Sequence, residues 1–470
     1  MFNNPLIKRY RLSAMRPTQV IIYIAIYLVI LMLIGILNEK STGFSTQMFK
    51  NIYCQLIIIQ AMFLLAWSSF NSSSAIREEI VTNSYDFFKM LPLTAGQKTI
   101  GILIGKNLFV IILAAINFIL MCMCGIIGEI NFMLHLQIIC VIIAFSIFLN
   151  SFGLMTSIQP DRKKTQSGII GIVFVIFFFF PFLIGNAIDV IYDGKELEKI
   201  EIYFYDLEIP LLWIITLITL FYSCWMIKGT LRKFTYERSP LFTPFGAFLF
   251  MIGYGLIILG LFYNFLRFER YSGDVYVFGT VCFIPALLIP FMSRKTFENY
   301  IEHLGAKHLQ SENLNLNTAL LCYSNLLTGI TLYLVWAVFA FMALWITKTV
   351  NAYNIMVMLS YFASYLFVIL MLELFNVLSP SVKKIGILLG FVFGLYAFLP
   401  LILAGVLDNE QLVKYSPFGL IGMLIDSDVI QYKFMSIFII YNIVISLLPV
   451  FFIVRRYLYI VQARKQMLLS

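Results

Sequence analysis

The chain has 470 residues, of which 61% are apolar and only 12% are charged. Soluble proteins average roughly 45–50% apolar and about 25% charged residues, so this composition excludes a soluble globular protein and indicates an integral membrane protein. The net charge of +9 does not indicate binding to nucleic acid, because the basic residues are distributed over many loops. Seven cysteines, an odd number within apolar runs, argue against a disulfide framework.

About twelve apolar runs are long enough to cross a membrane. The first, Thr18 to Leu37, has about 20 residues and no small-residue cleavage site after it, which predicts a retained helix rather than a signal peptide. The predicted spans are 18–37, 52–70, 101–127, 133–157, 168–188, 209–228, 244–266, 275–292, 321–346, 353–378, 385–407 and 434–454. One set of loops and both termini hold most of the 33 Lys and Arg residues, so both termini are predicted to be cytoplasmic.

A polar, amphipathic stretch from Ser72 to Pro92 lies between the second and third predicted spans. Its helical periodicity predicts an amphipathic helix, which Pro92 should end because the residue before a proline disfavours helical backbone. Its charged residues carry both signs, which suits a protein partner better than a lipid surface. By contrast, the stretch from Asn4 to Pro17 is basic and amphipathic, and is predicted to lie on the membrane surface.

The start of the third span superficially resembles a phosphate-binding loop. Only three residues separate Gly101 from Gly105, where that motif has four, and Asn107 stands where a Ser or Thr would bind magnesium. We therefore expect this chain not to bind ATP itself, and expect Lys106 to extend towards the lipid head groups. The three histidines lack metal-ligand spacing, so neither a metal site nor catalytic residues are predicted.

The two halves of the chain look like copies offset by about 220 residues. The matched positions, in chain order, are Ser73 with Ser293, Glu78 with Glu298, Pro160 with Pro380, and Pro181 with Pro400. They predict an all-α membrane protein of two parallel six-helix repeats, residues 1–234 and 235–470. The stretch that holds Glu298, Tyr300 and Glu302 would then be the second copy of the stretch from Ser72 to Pro92.

Glu373 is the clearest single charge inside an apolar run. Insertion of a carboxylate at such a depth costs roughly 2.5–3.5 kcal/mol, so a partner, a cavity or protonation is expected. One interpretation places Glu373 on a translocation path. The other makes it a structural carboxyl group, bonded to a neighbouring helix or reached by water.

The stretch REEIVTNSYDFFKMLPLTAGQKTIGILIGK, residues 77–106, resembles the coupling loop of ABC-2-type transporter permeases. Tyr415 to Phe418, before the last span, is also similar to a feature of that family. The resemblance implies two six-helix permease units fused in one chain, with amphipathic connecting and coupling helices. It implies ATPase-coupling roles for Arg77, Glu78, Glu79, Asp86, Phe87, Phe88, Glu298, Tyr300 and Glu302.

By the same resemblance, two separate nucleotide-binding ATPase subunits would bind ATP and magnesium and drive transport, most often export. Cargo in this family includes peptides, drugs, lipids and polysaccharides. The aromatic content of 16% fits a hydrophobic or amphipathic cargo, but phenylalanines that face lipid explain it equally well. The location implied is the cell membrane of a bacterium. No loop exceeds about 20–30 residues, so any ATPase domain belongs to another chain.

Two other classes of protein remain open at this point. A secondary transporter of the major-facilitator type also has twelve helices in two parallel halves. However, it usually shows a long central loop and a second loop rich in Gly, Asp and Arg, neither of which is present. A polytopic membrane enzyme would need clustered polar residues in long outer loops, a condition that only the acidic stretch from Asp189 to Glu208 approaches.

Overall fold

A computed structural model describes residues 4–15, 17–82, 84, 90–158, 201–235, 243–268, 326–346, 348, 350, 352–378, 396, 399–406 and 432–469. Of these described residues, 90% are helical. The elements are α1 Pro5–Ala14, α2 Pro17–Thr42, α3 Thr46–Ala61, the π-helix π1 Met62–Trp67, α4 Ser68–Val81, α5 Ala95–Ile127, α6 Phe132–Ser157, β1 Glu201–Phe204, β2 Leu207–Pro210, α7 Leu211–Thr235, α8 Pro244–Phe268, α9 Leu326–Ile346, α10 Ala352–Leu378, α11 Leu399–Val406 and α12 Tyr432–Leu469.

Nine helical stretches among the described residues are long and apolar enough to cross a membrane, so the chain is a multi-pass helical membrane protein. They are Val20–Thr42, Thr46–Ile80, Ala95–Ile127, Phe132–Ser157, Leu211–Thr235, Phe245–Tyr263, Gly329–Ile346, Ile355–Leu374 and Met435–Arg456. Each overlaps one of the predicted spans. The predicted spans 168–188 and 275–292, and most of 385–407, lie outside the described residues, so the total of twelve stays a prediction.

The contacts within the chain divide it into two compact units. Unit 1 comprises Met1–Ile202 and Glu208–Glu237, and unit 2 comprises Tyr203–Leu207 and Arg238–Ser470. The internal repeat is a separate question, because most of the matched positions of the second copy lie outside the described residues. The repeat therefore stays a prediction.

The long helices α5 and α6 of unit 1 are apolar on nearly all sides, as helices surrounded by lipid or by other helices must be. α6 packs against both α4 and α7, while α3 packs against α5. The centre of the bundle buries Tyr53 and Leu56 of α3, Met121 of α5 and Ile138 of α6. Hydroxyl groups inside α7 donate to carbonyls of the preceding turn, as Ser223 does to Thr219 at 2.7 Å, so these polar side chains are tolerated.

Unit 2 holds the pairs α8–α9 and α10–α12. Trp336 of α9 is almost fully buried, and the hydroxyl of Tyr365 in α10 donates to the carbonyl of Gly329 in α9 at 3.0 Å. Phe438 and Met435 of α12 pack with Val357 of α10. Aromatic packing and interhelical hydrogen bonds such as this one thus join helices that carry few charges.

One feature departs from the all-α prediction. The strands β1 and β2 form a two-stranded sheet whose turn has positive φ at Tyr205 (51°) and Asp206 (65°). Two consecutive left-handed residues are the geometry of a tight hairpin turn. Within unit 2, the Tyr205 amide donates to the carbonyl of Gly260 at 3.2 Å and its hydroxyl donates to that of Leu256 at 2.7 Å. Tertiary contacts to α8 therefore hold a turn that the sequence did not indicate.

A second correction concerns the stretch from Ser72 to Pro92. Its first part is not a separate helix, because α3, π1 and α4 form one unbroken helix from Thr46 to Val81. The serines at the start of this stretch bond back to their own helix, as Ser73 does to the carbonyl of Phe70 at 2.9 Å. The helix ends at Val81, well before Pro92, and the hydroxyl of Thr82 caps the carbonyl of Glu78 at 2.9 Å.

Candidate functional site

The candidate site lies where α1, the end of α4 and the start of α5 meet in unit 1. Asn4 is the N-cap of α1. Its side chain accepts a hydrogen bond from the Leu6 amide at 3.0 Å and donates one to the carbonyl of Gln97 at 2.7 Å. Leu6, Ile7 and Tyr10 then form one buried face of α1. That face packs against α5 and α4, while the location of α1 at the membrane surface stays a prediction.

Two glycines permit this packing. A Cβ placed on Gly101 would lie 2.9 Å from the Cβ of Leu6, and one placed on Gly105 would lie 2.8 Å from the Cδ2 of Tyr10 and 3.3 Å from the backbone of Ile7. Any side chain at these positions would push α1 away. In the sequence, the pair resembles only an incomplete phosphate-binding loop. The signal that would have found it is the spacing of two small residues four apart in an apolar helix, which marks close helix contacts in membranes.

A buried carboxylate, that of Glu79, also holds α1 against α4. The side chain of Glu79 is only 6% exposed, and its Oε2 lies 2.9 Å from Nη2 of Arg9. The Tyr10 hydroxyl donates to Oε1 at 3.2 Å, and the Ser84 hydroxyl donates to Oε2. Because a buried carboxylate needs such partners, Glu79 serves to hold α1 against α4.

Burial, together with the negative charge of Glu79, raises the pKa of the Tyr10 hydroxyl well above its usual value near 10. The Arg9 guanidinium opposes this shift in pKa without cancelling it. Tyr10 therefore remains protonated over the physiological pH range and can keep donating its hydrogen bond to Glu79.

Glu78 faces outward instead, with its side chain 57% exposed. It forms an ion pair with Lys106 of α5 and accepts a hydrogen bond from the Ser74 hydroxyl at 2.9 Å. The ammonium of Lys106 also lies 5.5 Å from the centre of the Tyr10 ring. The prediction that Lys106 extends to the lipid head groups is therefore wrong, because an acidic side chain across the helix pair holds it.

We call Arg9, Tyr10, Glu78, Glu79 and Lys106 the charged cluster. The inner part of this cluster, around Glu79, ties α1 to α4. Its outer part presents both signs of charge to the surroundings, since the side chains of Arg9 and Glu78 are 44% and 57% exposed. Such a surface can accept a protein that carries complementary charges. Neither Arg9 nor Tyr10 was picked out as a site residue from the sequence.

Unit 1 also contains a buried polar network, which is centred on Asn150 of α6. Oδ1 of Asn150 in α6 accepts hydrogen bonds from Ser68 at 2.8 Å, Ser72 at 2.6 Å and Asn107 at 3.2 Å. Ser146 in turn donates to the carbonyl of Leu64 in π1 at 3.1 Å. Because a π-helix disturbs the regular hydrogen bonding of the backbone, this hydroxyl stabilises the irregular turn.

The predicted site residues therefore have different outcomes. Glu79 is buried in contacts within the chain, Glu78 is exposed but paired, and Arg77 is partly buried. Glu373 lies in α10 and is only 2% exposed, which places it inside unit 2. The remaining predicted residues lie outside the described part of the chain: Asp86, Phe87, Phe88, Glu298, Tyr300 and Glu302.

Comparisons of this chain with models of protein families, with curated proteins and with solved structures found no match.

Proposed function

We propose that this chain is the membrane subunit of a transporter driven by ATP, with the ATPase on separate subunits. The observation that carries the proposal is the charged cluster, which joins an exposed surface of mixed charge to helices that cross the membrane. A soluble partner that pushed on this surface would move α1, α4 and α5 together, because Glu79, Gly101 and Gly105 hold them in contact.

The sequence supports the same reading. Residues 77–106 resemble the coupling loop of ABC-2-type permeases, and that stretch contains both glutamates and Lys106 of the charged cluster. Gly101, Gly105 and Lys106 lie in a regular helix instead of a loop after a strand, so they are not arranged to bind a phosphate. Nucleotide would therefore bind to the partner. We propose two such nucleotide-binding subunits per chain, one for each unit.

We further propose that the charged cluster and both termini face the cytoplasm of a bacterial cell, and that the cargo is hydrophobic or amphipathic, such as a peptide, drug or lipid. The distribution of Lys and Arg among the loops supports this orientation. Glu373, buried in unit 2, is the candidate for a residue on the translocation path.

The test is to purify the tagged full chain from its own membranes and to measure magnesium-dependent ATP hydrolysis in the eluate. We expect a subunit that hydrolyses ATP to elute with the wild-type chain, and Glu78→Lys to lower its amount several-fold. The chain separated from other subunits should show no hydrolysis. A wild-type preparation that transports cargo with no ATP-hydrolysing subunit present would refute the proposal.

A charge swap separates binding of the partner from damage to the chain. Glu78→Lys combined with Lys106→Glu restores the internal ion pair but reverses the sign of the charge presented outward. If the partner contacts Glu78, the swap should not restore ATPase recovery, whereas full recovery would assign Glu78 a purely internal role. Glu39→Lys is the matched control, because Glu39 is an exposed acid at the opposite end of α2 from α1, and it should leave recovery unchanged.

A further inference from the structure

Unit 1 also contains an apolar groove of about 240 Å³, far from the charged cluster. Its walls come from α5 and α6, and they include Ala114, Ala115, Phe118, Ile139, Ile142 and Ile143. All six residues lie within the membrane spans, and Ile143 is 46% exposed on the protein. The groove therefore faces the hydrocarbon of the bilayer, and apolar chains are the molecules that surround it.

The floor of the groove is formed by Gln60 of α3 and Leu64 of π1. Gln60 is the polar residue of the lining, but its side-chain oxygen already accepts a hydrogen bond from Nδ2 of Asn117 at 2.8 Å. The Tyr27 hydroxyl donates to the oxygen of the same asparagine at 2.9 Å. The groove thus favours a hydrocarbon occupant over a polar one.

A group of three reactive side chains lies beside the groove. Sγ of Cys122 lies 3.3 Å from Nε2 of His135, and Nδ1 of His135 lies 2.6 Å from the hydroxyl of Tyr53. The ring of Phe118, a residue of the groove wall, stacks on the His135 ring with centroids 6.2 Å apart. The wall of the groove therefore contacts the imidazole directly.

Helical spacing places these groups on the same faces as the lining. In α5, Cys122 follows Ala115 by seven residues and Phe118 by four. In α6, His135 precedes Ile139 by four residues, and in α3, Tyr53 precedes Gln60 by seven. Residues four and seven apart lie on one face of a helix, so on each of the three helices the reactive group lies on the face that lines the groove, one or two turns further along. From Ile111 to Cys122 the distance along α5 is about 16 Å.

A thiol beside an imidazole that is oriented by a third group is the arrangement of an activated nucleophile. When Nδ1 of His135 donates its proton to the Tyr53 oxygen, Nε2 can accept the proton of Cys122. A resident metal ion fits less well, because this group offers only one thiol and one imidazole. The described residues contain no group of three or more His, Cys, Asp or Glu that could hold a metal.

We propose that Cys122 is an acylation site, which takes a long-chain fatty acyl group whose hydrocarbon chain lies in the groove. The donor is an acyl thioester. His135 accepts the proton of the Cys122 thiol, and Sγ forms a bond to the acyl carbonyl carbon. The bond from that carbon to the donor sulfur breaks, and the leaving thiolate takes the proton from His135. One thioester replaces another, so the step needs no oxidant or reductant.

The experiment uses the full chain in phosphatidylcholine vesicles, with palmitoyl-coenzyme A as the probe and peptide mass spectrometry as the measurement. Cys224 is the internal reference, because it is an exposed thiol in another membrane helix. We expect Cys122 to be acylated at least ten times faster than Cys224. Loss of the base in His135→Gln should slow Cys122 by about 10²-fold or more, without changing Cys224. Equal rates at the two cysteines, or no effect of His135→Gln, would overturn the proposal.

The groove is tested separately from the base. Ala115→Phe should fill the groove from an exposed position that tolerates a larger side chain. It should lower the rate with palmitoyl-coenzyme A at least ten-fold and leave the rate with acetyl-coenzyme A unchanged. Ile116→Phe, at the neighbouring exposed position outside the lining, should change neither rate. An equal effect of Ala115→Phe on both chain lengths, or an equal effect of Ile116→Phe, would show that the groove does not hold the acyl chain.

Discussion

Replacement of Gly105 by alanine tests the contact between α1 and α5 with one methyl group. The new Cβ would meet Cδ2 of Tyr10 at 2.8 Å, the Cβ of Tyr10 at 3.2 Å and the Cα of Ile7 at 3.3 Å. Tyr10 cannot rotate away at low cost, because its hydroxyl is bonded to the buried carboxylate of Glu79. The backbone of Ile7 can yield only if the whole of α1 moves. We therefore expect Gly105→Ala to displace α1.

The expected magnitude follows from two opposing terms. Overpacking by extra carbon atoms costs about 1–3 kcal/mol. Alanine gains up to about 1 kcal/mol over glycine in a helix, which offsets part of that cost. A cost near the middle of that range, reduced by this gain, lowers the free energy of α1 docking by about 1–2 kcal/mol. The undocked population then rises roughly 5–30-fold.

Cleavage by trypsin after Arg11 measures this population. Arg11 lies in α1, and the rate of cleavage follows the population of the open form when opening is faster than cleavage. The control is Gly125→Ala in the same helix, where the added Cβ would lie 3.5 Å from Cε2 of Tyr53, an ordinary contact distance. Gly105→Ala should therefore be cleaved about 5–30 times faster than Gly125→Ala. Equal cleavage of the two variants would refute the close approach of α1 to α5.

Three further outcomes are expected. Asn150→Leu removes the acceptor shared by three buried donors, and it should lower the free energy of unfolding, measured by thermal denaturation, by about 1–2 kcal/mol. The control, Ser151→Ala, removes a hydrogen bond within one helix and should be nearly neutral. Arg9→Ala should weaken α1 docking by only about 1 kcal/mol, because solvent screens a half-exposed guanidinium. A rise in the rate of tryptic cleavage much greater than the roughly five-fold that this energy implies would contradict the prediction. If Glu373 lines the translocation path, Glu373→Gln should change the transport rate per assembled complex, while the abundance of the complex stays normal. If Glu373→Gln instead transports at the wild-type rate and Glu373→Leu only lowers stability, Glu373 has a structural role.

Hydropathy along the sequence is enough to identify a helical membrane protein and to locate the nine spans found among the described residues. Hydropathy is a local property, and a run of about 20 apolar residues has few alternatives to a membrane helix. Local chemistry also sets helix starts. Asn4 caps α1, and Thr94 and Gln97 form a capping box at the start of α5. The continuation of the second span through α4 was missed because the apolar run ends near Phe70, where the polar residues of α4 begin.

Which polar groups meet depends on how the helices pack, and the sequence does not reveal it. Arg9 and Glu79 are separated by 70 positions, Glu78 and Lys106 by 28, and Cys122 and His135 by 13. Nothing in the local periodicity around Glu78 and Glu79 distinguishes the exposed carboxylate from the buried one. That difference arises because α1 folds back onto α5, where Gly101 and Gly105 leave room for it. Burial then forces the carboxylate of Glu79 to find its partners within the fold.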